Sequence, residues 1–139
     1  IGHDFSVELS HHYGLERFHE VGCTIIECIN REYAKKLIVQ LPGQWNPVHY
    51  HKKKDETFQV LRGVLEVEIE GNTKILHPGD SLWVPTGVWH GFGSKTGVIS
   101  EEVCTASFND DSFYVDRAIA KLPREERKTH LVNWGRHQF

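Results

Sequence analysis

Gly43-Gln44-Trp45-Asn46-Pro47-Val48-His49-Tyr50-His51-Lys52-Lys53-Lys54-Asp55-Glu56-Thr57-Phe58-Gln59-Val60-Leu61-Arg62-Gly63 is the stretch that decides the reading of this chain. His49 and His51 share a face if the segment is a β-strand, because side chains alternate with period two. Glu56 follows a short turn later, and His90 lies further along between glycine and proline turns. Two imidazoles on one face, a nearby carboxylate and a distal imidazole form a mixed N/O set suited to a divalent transition metal. Gly43 and Gly63 bracket the stretch as turn residues, since glycine adopts positive φ without steric cost.

Working outward, the chain reads as short strands punctuated by turns. Thr57–Leu61 is a β-type run, and Leu65–Ile69 alternates cleanly. Leu65, Val67 and Ile69 are expected in a core, with Glu66, Glu68 and Glu70 facing water. Gly71-Asn72 is a tight-turn signal, and Thr73–Leu76 is the returning partner. His77-Pro78-Gly79-Asp80 turns the chain into Ser81–Pro85, and Thr86-Gly87 delivers His90. Upstream, Cys23–Ile29 and Tyr33–Leu41 read as strands. Downstream, Thr96–Phe108 contains at least one more. Many short strands with turns between them predict an all-β barrel or sandwich. Leu9–Glu20 reads as a short helix or irregular lead-in. A helical stretch is expected from about Val115 to Lys128, interrupted at Pro123, which can begin a second helix.

Composition bounds the rest. The sequence has 139 residues, enough for one domain with a real core. Sixteen basic against 19 acidic side chains give a formal charge of −3, so no nucleic-acid partner is expected. No apolar run approaches the ~20 residues of a membrane-spanning helix, and no signal peptide is evident. Cys23, Cys28 and Cys104 show no metal-finger spacing and read as reduced thiols of a cytoplasmic protein. In the run Lys52-Lys53-Lys54, a solvated loop is the expectation for Lys52 and Lys53. Trp45, Trp83 and Trp89 read as core or rim packing, and Tyr50 is expected to point away from the metal. The chain contains no methionine and begins Ile1-Gly2-His3, which reads as a piece of a longer polypeptide.

The spacing Gly43, His49-x-His51, Glu56, Gly63, followed by Gly79, Pro85-x-Gly87, His90, resembles the two sequence motifs of the cupin superfamily. Ser94 stands where the second motif usually has Asn. The resemblance covers roughly Lys36 to Phe108. It implies a double-stranded β-helix, or jelly-roll barrel, with short flanking helices mainly at the C-terminal end. It places a barrel core at about 22–108 and a C-terminal helical extension at about 109–139, within one domain spanning 1–139. It implies a metal inside the barrel mouth, held by His49, His51, Glu56 and His90. The donor set suits Mn²⁺, Fe²⁺, Co²⁺, Ni²⁺ or Zn²⁺. Barrel cupins often dimerise, so a homodimer is expected.

Two finer resemblances bear on function. Asn30–Leu37, Leu41-Pro42-Gly43-Gln44, His49–Phe58, Ser94–Val103 and Asn109–Tyr114 resemble the cupin domain at the C-terminal end of some bacterial N-acetylneuraminate (sialic acid) synthases. This implies an appended module that recognises a sugar or sugar acid. The metal motif with Lys54 also resembles sugar-isomerase cupins of the D-lyxose isomerase kind. There the implied roles are Lys54 as a positive charge or general acid and Glu102 as the base, provided its strand parity points inward. On a regular strand only one of Glu101 and Glu102 does so. The remaining reading is a non-catalytic dimerisation or regulatory module.

Overall fold

The computed structural model describes residues 6–131. Twelve strands dominate: β1 (Ser6–Ser10), β2 (Cys23–Asn30), β3 (Tyr33–Gln40), β4 (Trp45–Tyr50), β5 (Glu56–Gly63), β6 (Leu65–Ile69), β7 (Asn72–Leu76), β8 (Ser81–Val84), β9 (His90–Gly93), β10 (Val98–Thr105), β11 (Phe113–Tyr114) and β12 (Lys128–Leu131). A seven-stranded sheet runs β12-β1-β2-β3-β10-β5-β8, and a five-stranded sheet runs β11-β4-β9-β6-β7. All ladders between named strands are antiparallel. This is the expected all-β jelly-roll barrel.

The alternation read in the sequence is realised in packing. Leu65 and Val67 are fully buried, and Ile69 packs at the edge of the same cluster. They meet Ile38, Phe58, Val60, Val84 and Phe92 between the sheets. Each such side chain contributes about 1.5–3 kcal/mol on burial, so this apolar layer drives the two sheets together. Gly63 ends β5 at φ 85°, and a side chain there would strike the Gly97 carbonyl, so this turn admits only glycine.

Ser94 takes up the structural duty of its position. It is buried, and its hydroxyl donates to the Val64 carbonyl at 2.6 Å.

Of three local expectations, the helical stretch interrupted at Pro123 is met and the other two are corrected. Within Leu9–Glu20, only Leu15–Arg17 is helical, as one 3₁₀ turn, and Leu9 belongs to β1. The stretch Val115–Lys128 holds two short helices, α1 (Arg117–Lys121) and α2 (Arg124–Arg127), the second starting directly after Pro123. The chain then turns extended at Lys128, and β12 pairs with β1. The C-terminal segment is therefore helical only in part, and positions 132–139 of the expected extension lie outside the described residues, as do positions 1–5.

That segment is fastened to the barrel by specific contacts. Asp116 caps α1 by accepting from the Ala118 amide at 2.7 Å, and it also accepts from the Tyr13 hydroxyl. The His11 and His12 amides both donate to the Arg127 carbonyl at 2.9 Å. Ile119 of α1 is fully buried.

Candidate metal centre

Strand register brings the histidines together. His49 on β4 lies directly opposite His90 on β9. His51 follows just past the end of β4, and Glu56 opens β5. All four are buried, and one ligand atom from each lies within 4.8 Å of the others. Bonds of about 2.1 Å to a single ion set ligand atoms at most about 4.2 Å apart, so the cluster needs only a small contraction to close on one.

The backbone fixes which imidazole nitrogens face inward. His49 Nδ1 donates to the Pro47 carbonyl at 2.8 Å, His90 Nδ1 to Val88 at 2.9 Å and His51 Nδ1 to Asp111 at 2.5 Å. A carbonyl can only accept, so each Nδ1 carries the proton, and each neutral ring presents a bare Nε2 lone pair. This is the orienting bond that metal-ligating histidines make. His90 Nε2 and Glu56 Oε1 lie 2.5 Å apart, yet neither has a partner in hydrogen-bonding geometry. Buried, unpartnered acceptors are costly, and a cation between them would satisfy both. The residues therefore fit a divalent metal, and the His/Glu cluster could hold one.

Electrostatics agrees with this assignment at His49 and sets His90 apart. Burial, with the neighbouring His90 and His51, holds His49 well below the usual histidine range, so it stays neutral. Burial pushes His90 down too, but the adjoining Glu56 carboxylate outweighs it and raises that histidine. Glu56 is held well below the usual carboxylate range. Burial raises it, but Lys54, His51 and His90 lower it further.

Behind Glu56 lies a chain of buried charges. Lys54 Nζ sits 2.7 Å from Glu56 Oε2 and donates to Glu102 Oε1 at 2.7 Å. Lys36 Nζ is 3.6 Å from the same Glu102 oxygen and donates to Ser107 Oγ at 2.7 Å. Burial disfavours the Lys54 ammonium, but Glu102 and Glu56 more than offset it and hold the group protonated. Burial raises Glu102, while Lys54 and Lys36 lower it overall, so it is ionised. Strand parity is resolved: Glu102 is inward and buried, whereas Glu101 faces out and pairs with Lys35 at 3.1 Å.

His49, His51, Lys54, Glu56 and Glu102 line one cavity between the sheets. Tyr50 points away from it, packed on Trp89 and Phe113. Lys52 and Lys53 are exposed, and Trp83 and Trp89 are exposed at the surface.

Sequence reasoning missed Asp111, which is almost fully buried. Besides accepting from His51 through its carbonyl, it receives the Lys52, Lys53 and Lys54 amides on its carboxylate at 2.9–3.1 Å. It thereby shapes the loop between His51 and Glu56. Tyr114 was also missed. Its ring lies 5.4 Å from that of His49. Both come from a part of the chain that the motifs do not span. Cys23, Cys28 and Cys104 are free thiols, and burial pushes Cys23 and Cys104 up to about 12. No helix among the described residues is long and apolar enough to cross a membrane.

Comparison with known proteins agrees with this architecture. The family model for the cupin domain matches residues 36–100. The mannose-1-phosphate guanylyltransferase of Sinorhizobium fredii is 29% identical over 103 residues, covering 70% of this chain but only 20% of that protein. The chain thus spans about a fifth of that relative. Among solved structures, the L-ribose isomerase of Cellulomonas parahominis superposes with a TM-score of 0.68 at 17% identity, covering 74% of each chain. KdgF from Halomonas sp. superposes with a TM-score of 0.59 at 21% identity, covering 63% of this chain and 83% of that one. Both motifs thus deliver their residues to one buried cluster inside a two-sheet barrel, where residues 36–100 match the cupin domain and β1, β2, β11 and β12 lie outside the matched span.

Proposed function

We propose that this protein is a metal-binding cupin that recognises a sugar or sugar acid through a divalent transition ion held by His49, His51, Glu56 and His90. The observation that carries this is the set of three Nε2 lone pairs, each oriented by a backbone carbonyl, beside the unpartnered Glu56 Oε1. An ion there would polarise neighbouring oxygens of a bound sugar as a Lewis acid. Elemental analysis tests the assignment. Stoichiometric Mn, Fe, Co, Ni or Zn is expected in the wild type, and none above background in the His49→Ala, His51→Ala double variant. Equal metal in both would sink it.

A second reading, aldose–ketose isomerisation, is favoured by the Lys54–Glu102 hydrogen bond next to Glu56 in the same cavity. In it, the ionised Glu102 takes the proton from C2 of an aldose and returns it to C1, while a hydroxyl proton moves between the two oxygens. Lys54, which stays protonated, stabilises the negative charge that develops. Solvent deuterium appearing at C1 of the ketose formed from a pentose, hexose or N-acetylhexosamine, and at C2 of the aldose re-formed from it, is the expected result. No exchange with any of these would leave binding or regulation as the role.

We also place the domain within a larger carbohydrate enzyme. The resemblance to the terminal domain of N-acetylneuraminate synthases supports this, as does the partial match to a guanylyltransferase. A homodimer is part of the same reading. Val103, Thr57 and Trp83 align across β10, β5 and β8, and exposed Val103 and Trp83 give that sheet face an apolar surface that a second copy would cover.

A further inference from the structure

The segment that fastens the C-terminus to the barrel also brings cations into the cavity. Arg124 opens α2, while Lys128 and His130 lie on β12, which pairs with β1. All three converge on Glu8 of β1. Arg124 donates to Glu8 Oε2 at 2.7 Å, Lys128 to Glu8 Oε1 at 2.7 Å, and His130 Nε2 lies 3.4 Å from Oε2. These four residues line the same cavity as His49 and Glu102.

The cluster carries more positive charge than its own carboxylate offsets. Burial pushes Glu8 up, but Lys128 and Arg124 lower it overall, so it is ionised. Two permanent cations on one carboxylate leave a net positive charge, and His130 Nε2 accepts from Arg124 Nη1 at 2.9 Å. Arg124 Nε is buried and has no acceptor among the described residues. The side chains of Arg124 and Lys128 remain partly accessible, at 25% and 15%.

Counting charge over the whole cavity points the same way. Its lining has four acidic side chains and four lysines or arginines, which balance. A divalent ion on three neutral imidazoles adds two positive charges that nothing in the lining offsets. Between the two polar poles the floor is apolar. Glu8 lies opposite Ile25, which lies opposite Ile38. This layout suits a ligand whose hydroxyls meet the ion, whose C–H face lies on the isoleucines and whose acidic group reaches the cations.

We propose that Arg124, Lys128 and His130 form a subsite for the carboxylate or phosphate of an acidic sugar. The proposal rests on the metal-centre reading and deepens it by naming the ligand's charge. Guanidinium and ammonium groups bind both anions through charge-assisted hydrogen bonds.

Calorimetric titration of manganese-loaded protein with D-glucose, D-gluconate and D-glucose 6-phosphate tests it. At least one anion is expected to bind about ten-fold or more tighter than glucose, the scale of one charge-assisted hydrogen bond. A gain for gluconate alone identifies a carboxylate, and a gain for the phosphate alone identifies a phosphate. Arg124→Gln with Lys128→Gln should erase the gain. Because that variant leaves Glu8 buried without partners, Glu8→Gln is the companion. It keeps both cations, frees them from their internal carboxylate and should tighten anion binding further.

Equal affinities for the three probes, no measurable binding of either anion, or an anion preference unmoved in both variants would overturn the subsite. Metal content measured on the same samples separates the two readings. A wild type that holds none of Mn, Fe, Co, Ni or Zn yet still prefers an anion refutes the metal centre and keeps the subsite.

Discussion

Glu56 joins two walls of the cavity that are built on opposite principles. On one side stand His49, His51 and His90, rings whose outer nitrogens are tied to backbone carbonyls and whose inner nitrogens face one another around Glu56. On the other stand Lys54, Glu102 and Lys36, charged groups that satisfy one another. The imidazole wall is held by main chain and turns its unmet valence inward, where an ion can use it. The charged ends of the ionic wall are held by side chains, one another and the Ser107 hydroxyl. Substitutions in the first should therefore cost binding, and substitutions in the second should cost stability.

The largest expected effect comes from breaking the ionic wall. Lys54→Met keeps the length of the side chain but leaves Glu56 buried without its ammonium and Glu102 with Lys36 alone. Removing one partner of a buried ion pair typically costs about 3–5 kcal/mol. Urea denaturation of the metal-free protein should show a loss of that size, whereas the His49→Ala, His51→Ala variant should lose less, since it strands no charge. Equal losses in the two variants would erase the distinction between the walls.

How far this distinction could be read beforehand differs from residue to residue. His49, His51, Glu56 and His90 are legible because turn glycines and strand alternation fix their relative positions locally. Leu65 and Val67 are legible because one face of β6 meets an apolar core. β1 is not, because its inward residues Ser6, Glu8 and Ser10 face a polar cavity while Val7 is buried on the other side, inverting the usual pattern. β12 is not legible either. Charged Lys128 follows a helix, and only pairing with β1 makes it extended, so tertiary context overrides local preference. Glu102 was legible as far as its strand, but its inward direction needed the register. Asp111 acts through a carbonyl and three distant amides, and no local spacing encodes that.

A second test sharpens the comparison with an imidazole that belongs to neither wall. His12 is fully buried at φ 58°, and its Nε2 donates to Asn46 Oδ1 at 2.8 Å. Burial lowers it to about 4. In the unfolded chain it titrates near about 6.5. Between these values the unfolded chain binds a proton that the native protein refuses, so the contribution is complete above about pH 6.5 and disappears as pH falls through about 4. The full difference is about 3 kcal/mol. His49 in the metal-free protein acts in the same direction. His12→Asn, whose side chain tolerates the left-handed backbone, should therefore flatten the fall in stability between pH 6.5 and about 4 without removing it. Saturating metal also holds His49 unprotonated in the native state, so it should leave the fall in stability with pH in place. An unchanged pH profile in the variant would mean that His12 is not kept neutral by burial.

The smallest effect is expected one residue from the largest. Lys53 neighbours Lys54 in the sequence, yet its side chain is half exposed and its partner Asp110 is 78% exposed, at 3.2 Å. Water screens such a pair, and ordering two mobile side chains offsets much of the attraction, so exposed pairs contribute about 0–1 kcal/mol. Lys53→Ala also gives up a contact over the Phe108 ring, which is itself exposed. Its amide, which holds the loop by donating to Asp111, survives the substitution. Urea denaturation should place the variant within about 1 kcal/mol of wild type, and metal content should be unchanged. A loss approaching that of Lys54→Met would show that the loop between His51 and Glu56 is held by side-chain charge, as the ionic wall is. A small loss places the loop with the imidazole wall, fixed by main chain, and the loop then carries Lys54 into the cavity because Asp111 holds its amides.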